Sequence, residues 1–488
     1  MNAITDLLES YPASKPALVA ISRDGGRRVW HFGELLARSA GLSGALAARG
    51  VDRGDAVMTL AGNRIEWVLT LLACWRMGAV ALPCNTQLRR RDLELRADAV
   101  AADAGIGEEG RGPALCVGEE ELLGALPEGV EAMTMADIDA VLDEDSPQER
   151  PVGVADLDPE NPALIVFTSG TTGEPRGAVH AQRYLPAQRV QAEHWLGAGD
   201  GDLVWVTTAT GWSKSARNVF LAPWLCGAAA LIDDSRFEPG RRLEVCEREG
   251  VSVLCQAPTE YRMLAKRTKL RPLPQMRRLV SAGEPLNPEV LAKFDDALGL
   301  EISDGYGQTE TGHLAGTRPG DEVRPGSMGM VLPGFETRIS EGLLEVRGER
   351  CPTFFSRYLG DEPFDGDWWP TGDAVSEDED GYLWFEGRDD DLILSAGYRI
   401  GPFEVESALL THPAVAEAAA VGVPDEERGQ LVKAVVVLRD AEPSDALAVE
   451  LQEHVKRETA SYKLPRVVEF AAELPKTASG KIKRAELR

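Results

Sequence analysis

Short apolar runs and stretches of helical periodicity alternate along most of the chain. Residues Phe32–Arg49 and Ile65–Met77 have the spacing of amphipathic helices, whereas Ala56–Leu60 and Ala79–Leu82 are apolar runs typical of buried strands. Such an alternation predicts an α/β fold whose strands are buried and largely parallel.

The same alternation continues through the middle of the chain. Further buried strands are predicted at Ala163–Phe167, Val204–Thr208, Ala228–Ile232, Ser252–Cys255 and Arg278–Ser281. The last two strands lead into polar turns, Ala257–Thr259 and Ala282–Pro285. Because ligands of open α/β sheets bind at the carboxyl ends of the strands, these successive turns predict one large site.

The pattern becomes more compact after Trp384, where two polar turns precede a set of elements that fits a small domain. The predicted elements are a helix at Phe403–Leu410, strands at Val415–Val423 and Leu431–Leu438, a helix at Ala446–Thr459 and a strand at Arg466–Phe470. A chain of 488 residues is expected to form two or three domains. We expect a large N-terminal α/β domain of several subdomains over 1–389 and a small, mobile C-terminal α+β domain over 390–488.

Composition and charge narrow the class of protein. A hydrophobic content of 43% indicates a globular protein, and a formal net charge of −27 argues against nucleic-acid or anionic-membrane partners. The acidic stretch 118–150 is expected to form an exposed helix and loop. Seven cysteines without a C-x-x-C pair indicate reduced thiols.

The N-terminal residues lack the apolar core of a signal peptide, and the longest apolar candidate, Val68–Cys84, is interrupted by Arg76. We therefore expect a cytoplasmic protein without a membrane span. The sequence leaves its oligomeric state open, including a homo-oligomer.

The stretch Ile165–Val179, IVFTSGTTGEPRGAV, is the first candidate for chemistry. Its glycines let the backbone turn tightly, so that successive N–H groups and hydroxyls converge on an anion. We therefore predict a loop that holds a polyphosphate. It is not a Walker A loop, because its spacing does not fit G-x-x-x-x-G-K-[ST]. The alternative is a turn rich in Ser, Thr and Gly that binds no ligand.

Two further stretches are candidates for chemistry. In Asp304–Glu310, DGYGQTE, Tyr306 can stack on a base and Glu310 can hold Mg²⁺ beside phosphates through an oxygen ligand. A Gly/Ser turn near the end of the chain presents Lys481, although a lone lysine of this kind is usually a solvated surface charge. The six histidines show no metal-ligand spacing, and the G-x-S-x-G and H-E-x-x-H motifs are absent from the sequence.

Six motifs in a fixed order make the chain resemble the adenylate-forming superfamily of acyl-CoA synthetases, peptide-synthetase adenylation domains and luciferases. They are TSGTTGEPRG (168–177), GEPL (283–286), DGYGQTE (304–310), TGD (371–373), GRDDDLILSAGYRIGPFEVE (387–406) and PKTASGKIKR (475–484). Within the superfamily, TGWSKSARNVFLAPWLCGA (210–228), QAPTEYRML (256–264) and the form of the 387–406 stretch are most similar to the medium-chain acyl-CoA synthetases.

The resemblance implies a role in binding ATP for residues of five motifs. The β- and γ-phosphates would be wrapped by Thr168, Ser169, Gly170, Thr171, Thr172 and Gly173, with Arg176 beside them. Adenine would be framed by Gly283, Glu284, Pro285 and Tyr306, with Asp304, Gly305 and Gln308 as further nucleotide-binding residues. Asp373 and Arg388 would hold the ribose hydroxyls.

The resemblance also implies the catalytic groups and the path of CoA. Thr309 would touch the α-phosphate, Glu310 would ligate Mg²⁺, and Lys481 would bridge the substrate carboxylate and the α-phosphate. A positioned cation suits this role because two anions must meet, and Lys is a compact point charge. The small domain would rotate about Asp390 between the two steps. The CoA path would be lined by Ala396, Gly397, Tyr398, Arg428 and Lys456, with Gln87 as a further candidate.

The implied function is an ATP-dependent carboxylic acid–CoA ligase that forms an acyl-adenylate. Acetate-specific relatives carry a tryptophan where this chain has Gly307, so the acid is expected to be a medium-chain fatty acid or a compact aryl acid. Trp212 and Arg399 are expected to contact it, with core packing as the alternative for Trp212.

The chain departs from the family pattern in one motif and in two lengths. Arg176 stands where the family usually has Lys, and Arg is not a simple replacement at a phosphate clamp. The stretches 104–160 and Thr311–Arg350 are shorter than usual, which predicts lost surface loops or an altered oligomer contact. Two alternatives stay open: an adenylation enzyme that loads a carrier protein, and a catalytically silent nucleotide- or acyl-binding relative.

Overall fold

The structure, a computed structural model, describes residues 2–143, 150–168, 175–283, 288–396, 398–425, 427–476 and 482–488. Within these residues strands and helices alternate as predicted, and the strands form four sheets. No helix in the described ranges is long and apolar enough to cross a membrane.

The first part of the chain has the predicted alternation. Its helices are α1 (Ala3–Glu9), α2 (Phe32–Ala48), α3 (Ile65–Met77), α4 (Arg90–Ala101), α5 (Glu120–Leu123) and α6 (Met135–Leu142). Its strands are β1 (Pro16–Ile21), β2 (Arg27–His31), β3 (Ala56–Leu60), β4 (Val80–Cys84), β5 (Leu115–Gly118), β6 (Glu131–Thr134), β7 (Pro162–Phe167) and β8 (Gly177–Ala181). The predictions for α3 and β3 match residue for residue. The acidic stretch after residue 118 departs from the expectation of helix and loop alone, because β6 pairs with β5 and buries Met133.

The middle part adds five strands and several short helices. Its strands are β9 (Leu203–Val206), β10 (Ala229–Asp233), β11 (Val253–Gln256), β12 (Arg278–Ser281) and β13 (Ile302–Ser303). Its helices are α7 (Tyr184–Ala187), α8 (Arg189–Gln191), α9 (Ser213–Ala216), α10 (Ala222–Leu225), α11 (Pro239–Glu249), α12 (Pro258–Arg267) and α13 (Pro288–Leu298). Two five-residue π-helical segments, Ala192–Leu196 and Arg217–Leu221, continue from α8 and α9.

The remaining strands form an antiparallel region and then the C-terminal unit. The antiparallel region contains β14 (Gly305–Gln308), β15 (Gly312–Gly316), β16 (Ser327–Val331), β17 (Thr337–Ser340), β18 (Leu343–Arg347), β19 (Arg357–Tyr358), β20 (Trp368–Glu377) and β21 (Tyr382–Arg388). The C-terminal unit contains β22 (Ile393–Ser395), β23 (Tyr398–Ile400), α14 (Pro402–Leu410), β24 (Val415–Asp425), β25 (Gly429–Leu438), α15 (Asp445–Glu458) and β26 (Val467–Phe470). The five elements predicted after residue 400 are all present, with ends within two residues of the prediction.

Two sheets of seven strands are largely parallel, as expected. The first sheet has the order β13-β12-β11-β9-β10-β1-β2, and the second has the order β19-β8-β7-β4-β3-β5-β6. Antiparallel pairing occurs only at their ends, at β1–β2, β7–β8 and β8–β19. The parallel strands therefore place their carboxyl ends along one edge of each sheet.

The third and fourth sheets are mainly antiparallel. The third sheet has the order β14-β15-β16-β21-β20-β18-β17, and no pattern in the sequence predicted it. The fourth sheet has the order β23-β22-β25-β24, with β26 paired in parallel to β25. Helices α14 and α15 bury Leu409 and Val455 against the fourth sheet, which gives the C-terminal unit a core of its own.

The largest apolar core joins the first two sheets. Helix α3, predicted to be amphipathic, is instead buried on nearly every face, because it packs in the same core as residues of both sheets. Trp75 of α3 donates to the carbonyl of Ala163 in β7 over 2.9 Å, and Trp224 of α10 donates to the carbonyl of Ala17 in β1 over 2.7 Å. These buried bonds tie the core helices to both sheets.

Candidate functional site

Loops at the carboxyl ends of strands from the two parallel sheets meet directly. The Thr210 hydroxyl, in the loop after β9, donates to the carbonyl of Ala61, which follows β3, over 2.5 Å. Asn85, which follows β4, donates from Nδ2 to the carbonyl of Thr210 over 3.1 Å. Gly211 has φ +83, and a Cβ built on it would overlap the backbone of Asn85. Only glycine allows the two backbones to come this close, so the loops at the ends of the two sheets form one continuous surface.

Asp373 is the centre of a buried hydrogen-bonded cluster on the third sheet. Its carboxylate accepts hydrogen bonds from the Tyr306 hydroxyl, from Nε2 of Gln308 over 2.8 Å and from Nη1 of Arg388 over 3.0 Å. Asp373 and Arg388 are register partners on β20 and β21, whereas Tyr306 and Gln308 lie on β14. Four residues predicted to bind the nucleotide are therefore brought together, from positions 306 to 388.

The carbonyl of Thr371 completes this cluster. It accepts from Nε2 of Gln308 over 2.7 Å and from Nη1 of Arg388 over 3.1 Å. Burial, together with the nearby Asp373 carboxylate, raises the pKa of Tyr306 well above its ordinary value. The Tyr306 hydroxyl is therefore protonated, and it donates a hydrogen bond to the Asp373 carboxylate.

Asp304 and Gly305 begin the same hairpin. The Asp304 carboxylate accepts from the backbone N–H of Gly305 over 2.8 Å, and its carbonyl accepts from the N–H of Thr317 over 3.0 Å. Thr309 and Glu310 lie in the turn that joins β14 to β15. The DGYGQTE stretch thus forms the first strand and the turn of one hairpin, and this turn carries Thr309 and Glu310, two of the predicted catalytic residues.

Tyr358, which sequence reasoning missed, links the predicted metal ligand to the predicted phosphate loop. Its hydroxyl donates to Oε1 of Glu310 over 2.5 Å. The guanidinium of Arg176 lies 3.6 Å over the Tyr358 ring and forms an ion pair with Asp361. Burial and the Glu310 charge raise the pKa of Tyr358. The surrounding RYLGD stretch offers no periodicity or motif by which Tyr358 or Asp361 was recognisable.

The ends of the predicted phosphate loop are held together. The N–H of Thr168 donates to the carbonyl of Arg176 over 2.9 Å, and the N–H of Arg176 donates to the Thr168 hydroxyl over 3.2 Å. The other predicted residues of this loop, Ser169, Gly170, Thr171, Thr172 and Gly173, lie outside the described residues, as do Glu284, Pro285, Gly397 and Lys481.

Of the residues predicted to contact the acid, Gly307 lies on β14 between Tyr306 and Gln308 of the nucleotide cluster, and Trp212 lies in the loop after β9. Trp212 is half-buried and precedes α9, where its carbonyl accepts from the N–H of Ser215 over 2.8 Å. Two residues later in the chain, the ammonium of Lys214 donates to the carbonyl of Ala282, next to Gly283. A Cβ built on Gly307 would overlap the carbonyl oxygen of Gly312 across the hairpin, so the backbone gives this glycine a reason independent of pocket size. The side chain of Arg399 lies outside the described part of the chain.

Four described residues predicted along the CoA path lie in the C-terminal unit, and two of them, Ala396 and Arg428, are in contact. Ala396 has φ +51, a strained value for a non-glycine residue, and its N–H donates to the carbonyl of Arg428 over 2.9 Å. Tyr398 is 51% exposed and stacks on Tyr462 with ring centroids 4.3 Å apart. Lys456 lies on α15, where it pairs with Glu453 at 3.4 Å. Gln87 lies in the loop after β4.

The predicted hinge residue, Asp390, lies in a short 3₁₀ turn, Asp389–Asp391, between the third and fourth sheets. Nη2 of Arg488 donates to the carbonyl of Asp390 and to Oδ1 of Asp391, both over 2.8 Å. Burial raises the pKa of Asp391. This contact between Arg488 and the turn was not predicted from the sequence.

The chain is similar to known enzymes over nearly its whole length. The chain matches the family model for an AMP-binding enzyme over residues 6–351 and the model for the AMP-binding enzyme C-terminal domain over residues 404–481. An uncharacterized acyl–CoA ligase, YtcI, of Bacillus subtilis (strain 168) is 38% identical, over 99% of this chain and 94% of its own length. The mitochondrial acyl-coenzyme A synthetase ACSM4 of Rattus norvegicus is 38% identical, over 97% of this chain and 86% of its own length.

Solved structures of related enzymes have the same fold. The benzoate CoA ligase from Burkholderia xenovorans LB400 superimposes with a TM-score of 0.86 at 26% identity, covering 100% of each chain. The anthranilate CoA ligase AuaEII, in complex with anthranoyl-AMP, superimposes with a TM-score of 0.85 at 29% identity, covering 99% of this chain and 96% of its own. The chain belongs to the AMP-binding enzyme family, the adenylate-forming superfamily, and is an acyl-CoA synthetase, that is, an AMP-forming acid–thiol ligase.

Proposed function

We propose that the enzyme activates a medium-chain fatty acid or a compact aryl acid with ATP and transfers the acyl group to CoA. In the first step a carboxylate oxygen of the acid attacks the α-phosphorus of ATP. The bond from that phosphorus to the bridging oxygen breaks, and pyrophosphate leaves. In the second step the CoA sulfur attacks the acyl carbonyl, its proton passes to solvent, and AMP leaves as the thioester forms.

The observation that carries the proposal is the convergence of residues from three motifs. Asp373 and Arg388 lie on two central strands of the third sheet, β20 and β21, and Tyr306 and Gln308 lie on β14 at its edge, yet all four share one hydrogen-bonded cluster. A buried carboxylate that accepts several hydrogen bonds has a fixed orientation, which suits recognition of the two hydroxyls of a ribose.

Glu310 fits a magnesium ligand. Mg²⁺ in nucleotide sites is usually bound through one or two carboxylates together with the substrate's phosphates. The Tyr358 hydroxyl donates a hydrogen bond to Oε1 of Glu310 and so fixes the orientation of this carboxylate. The ring of Tyr358 lies under the guanidinium of Arg176. When bound, the ion would neutralise charge on the phosphates.

Attack of a carboxylate on a phosphate brings two anions together, and a cation must screen them. We propose Lys481 for this role in adenylation, with Thr309 at the α-phosphate. Rotation about Asp390 would then exchange the Lys481 loop for the surface that carries Ala396, Tyr398 and Arg428, where CoA would enter.

The choice of acid rests on the sequence and on the named substrates of two relatives. Gly307, on β14, has no side chain at the position where acetate-specific relatives carry tryptophan, although the close backbone approach of Gly312 also requires a glycine there. The benzoate and anthranilate CoA ligases superimpose over nearly the whole chain and act, as their names state, on compact aryl acids.

The cytoplasm is the proposed location, because the seven cysteines are free thiols, as in proteins of reducing compartments.

The decisive measurement is pyrophosphate release from ATP and Mg²⁺ across acids from acetate to decanoate plus benzoates, with and without CoA. We expect release that depends on the acid, is increased by CoA and is greatest above two carbons. Release without any effect of CoA would instead favour loading of a carrier protein. No release with any acid, despite measurable ATP binding, would contradict the ligase assignment.

A further inference from the structure

Six polar side chains form a cluster in the protein interior, beneath the hairpin that carries Thr309 and Glu310. This polar interior cluster consists of His180, Gln191, Trp195, Arg217, Asn218 and His313. Each is at most 3% exposed. Trp195 lies on one π-helical segment, and Arg217 and Asn218 lie on the other. Such widened turns are frequent at functional sites.

Contacts link the members in three pairs. Nε2 of Gln191 donates to Oδ1 of Asn218 over 2.6 Å, and the Trp195 and His313 rings stack with centroids 3.7 Å apart. Tyr184 connects the rest, because its ring lies 4.0 Å from that of His180 and its hydroxyl lies 3.5 Å from Nη1 of Arg217.

Many polar atoms of the cluster lack a hydrogen-bond partner among the described residues. They are Nδ1 and Nε2 of His180, Oε1 of Gln191, Nε1 of Trp195, Nε of Arg217, Nδ2 of Asn218 and Nε2 of His313. Buried polar atoms are almost always hydrogen-bonded, so a concentration of exceptions requires an explanation. Three of these atoms, on Trp195, Arg217 and Asn218, can only donate, which points to a ligand that accepts hydrogen bonds.

The charge of the cluster points to the same kind of ligand. Within the described part of the chain the Arg217 guanidinium has no carboxylate in an ion pair, although the residue is only 3% exposed. Both histidines are neutral, because burial and Arg217 lower the pKa of each, for His180 to about 3. The cluster therefore carries one uncompensated positive charge, and burying a charge without a partner is strongly unfavourable.

The position of the cluster connects it to the predicted acid site. Arg217 follows Trp212 and Lys214 on one short stretch of chain. A Cβ built on Gly312 would lie 3.3 Å from Nη1 of Arg217, and Gly312 directly follows the turn of Thr309 and Glu310. An acid whose reacting carboxylate lies at this turn would extend its other end toward Arg217.

We propose that the acid carries a second carboxylate, bound by Arg217 with Asn218 and Trp195 as further donors, so that the enzyme prefers a dicarboxylic acid. This inference rests on the proposed function and narrows its substrate class. Arg217 would set specificity through a charge-assisted hydrogen bond, which is stronger than a neutral one.

The test compares acids that differ only in the second carboxylate: hexanoate with adipate, octanoate with suberate, and benzoate with its carboxylated forms. Pyrophosphate release is measured for the wild type and for Arg217→Met, which keeps the length of the side chain and removes its charge. Arg271→Met, at an exposed ion pair with Glu247, is the control. Arg217→Gln serves as a second variant in case Arg217→Met does not fold.

We expect the wild type to prefer at least one dicarboxylate by about tenfold or more in kcat/KM, since a site built for hydrogen bonds discriminates against a ligand that lacks them. Arg217→Met should reverse the preference, and Arg271→Met should retain it. A wild type that prefers every monocarboxylate, or a ratio unchanged in Arg217→Met and Arg217→Gln, would overturn the inference.

Binding of the same acids, followed by the shift in Tm, separates this inference from the proposed function. If the wild type releases no pyrophosphate with any acid, the proposed function is wrong. Binding of the acids still tests whether Arg217 recognises a second carboxylate. Stabilisation by a dicarboxylate that is lost in Arg217→Met supports it. Equal shifts with both classes of acid, or no shift with either, contradict it.

Discussion

Asp373 and Arg388 face each other across β20 and β21, and Nη1 of Arg388 donates to Oδ1 of Asp373 over 3.0 Å. The same carboxylate accepts hydrogen bonds from Tyr306 and Gln308, so it connects β20 and β21 to β14. The charge of Asp373, and not only its shape, holds these donors in place.

Asp373→Asn should therefore weaken ATP binding. The amide keeps the shape of the side chain but offers N–H groups where the neighbours already donate, and the loss of a charged acceptor typically costs about 1.5–3 kcal/mol. We expect the KM for ATP to rise roughly 10- to 100-fold, measured by pyrophosphate release. Asp380→Asn, in an exposed pair with Arg324, is the matched control. An unchanged KM in Asp373→Asn would remove this residue from the nucleotide site.

Tyr358→Phe should affect the use of magnesium more than the fold. The variant keeps the ring under Arg176 and loses only the hydrogen bond to Glu310, a contribution of about 1–2 kcal/mol. We expect roughly a tenfold higher requirement for Mg²⁺ in titrations of activity, with little change in Tm. Tyr382→Phe, which loses a bond to the carbonyl of Glu322, should leave the Mg²⁺ titration unchanged. Identical titrations in both variants would show that Tyr358 does not orient the ligand.

Arg488→Ala should change the two half-reactions unequally. Arg488 binds the turn at Asp390, so its removal would alter the balance between the proposed positions of the small domain. Because the ion pair with Asp391 is partly exposed, its contribution is about 0.2–1 kcal/mol, which corresponds to a change of about 1.4- to 5-fold. Adenylation is followed without CoA and thioester formation with CoA. Arg271→Ala, at the exposed pair with Glu247, is the control; a parallel change of both rates in Arg488→Ala would argue against a role in rotation.

Acidification should destabilise the protein through His180. Burial and the charges of Arg217 and Arg183 lower its pKa to about 3 in the folded state, against about 6.5 when unfolded. Below pH 6.5 the unfolded chain binds a proton that the folded chain does not, so stability falls as the pH falls, by up to about 1.4 kcal/mol per pH unit. We expect urea unfolding at pH 7, 6 and 5 to show this slope and His180→Phe to reduce it. A slope unchanged in His180→Phe would show that another group is responsible.

The sequence predicted the two parallel sheets and the elements of the C-terminal unit far better than the third sheet. Strand β3 is a short apolar run between polar turns and α3 is a longer segment with helical spacing, so length separates the two. The third sheet was missed because its strands, such as β14 and β15, are short and rich in glycine, and so lack a periodic pattern. Helix α3 was expected to be amphipathic, and only the packing of both sheets against it explains its burial.

The candidate site shows a similar division. Tyr306, Gln308, Asp373 and Arg388 were found through motifs, and the structure brings them together. Tyr358 and the polar interior cluster were missed because their partners are distant in the chain: Tyr358 meets Glu310 across 48 positions. Polar residues such as Arg217 and Asn218 in a helical stretch are usually exposed, so nothing local indicated their burial.

The ion pair between Arg176 and Asp361 has a consequence for turnover. The cation proposed to meet the polyphosphate is already neutralised by a carboxylate of the protein, and both side chains are about half exposed. Nucleotide binding is then an exchange of one anion for another, so Arg176 contributes only the difference between two ion pairs. When pyrophosphate departs, Asp361 is in place to accept the guanidinium again. If Arg176 meets the polyphosphate as proposed, its resident anion would favour rapid release of product over tight retention of ATP.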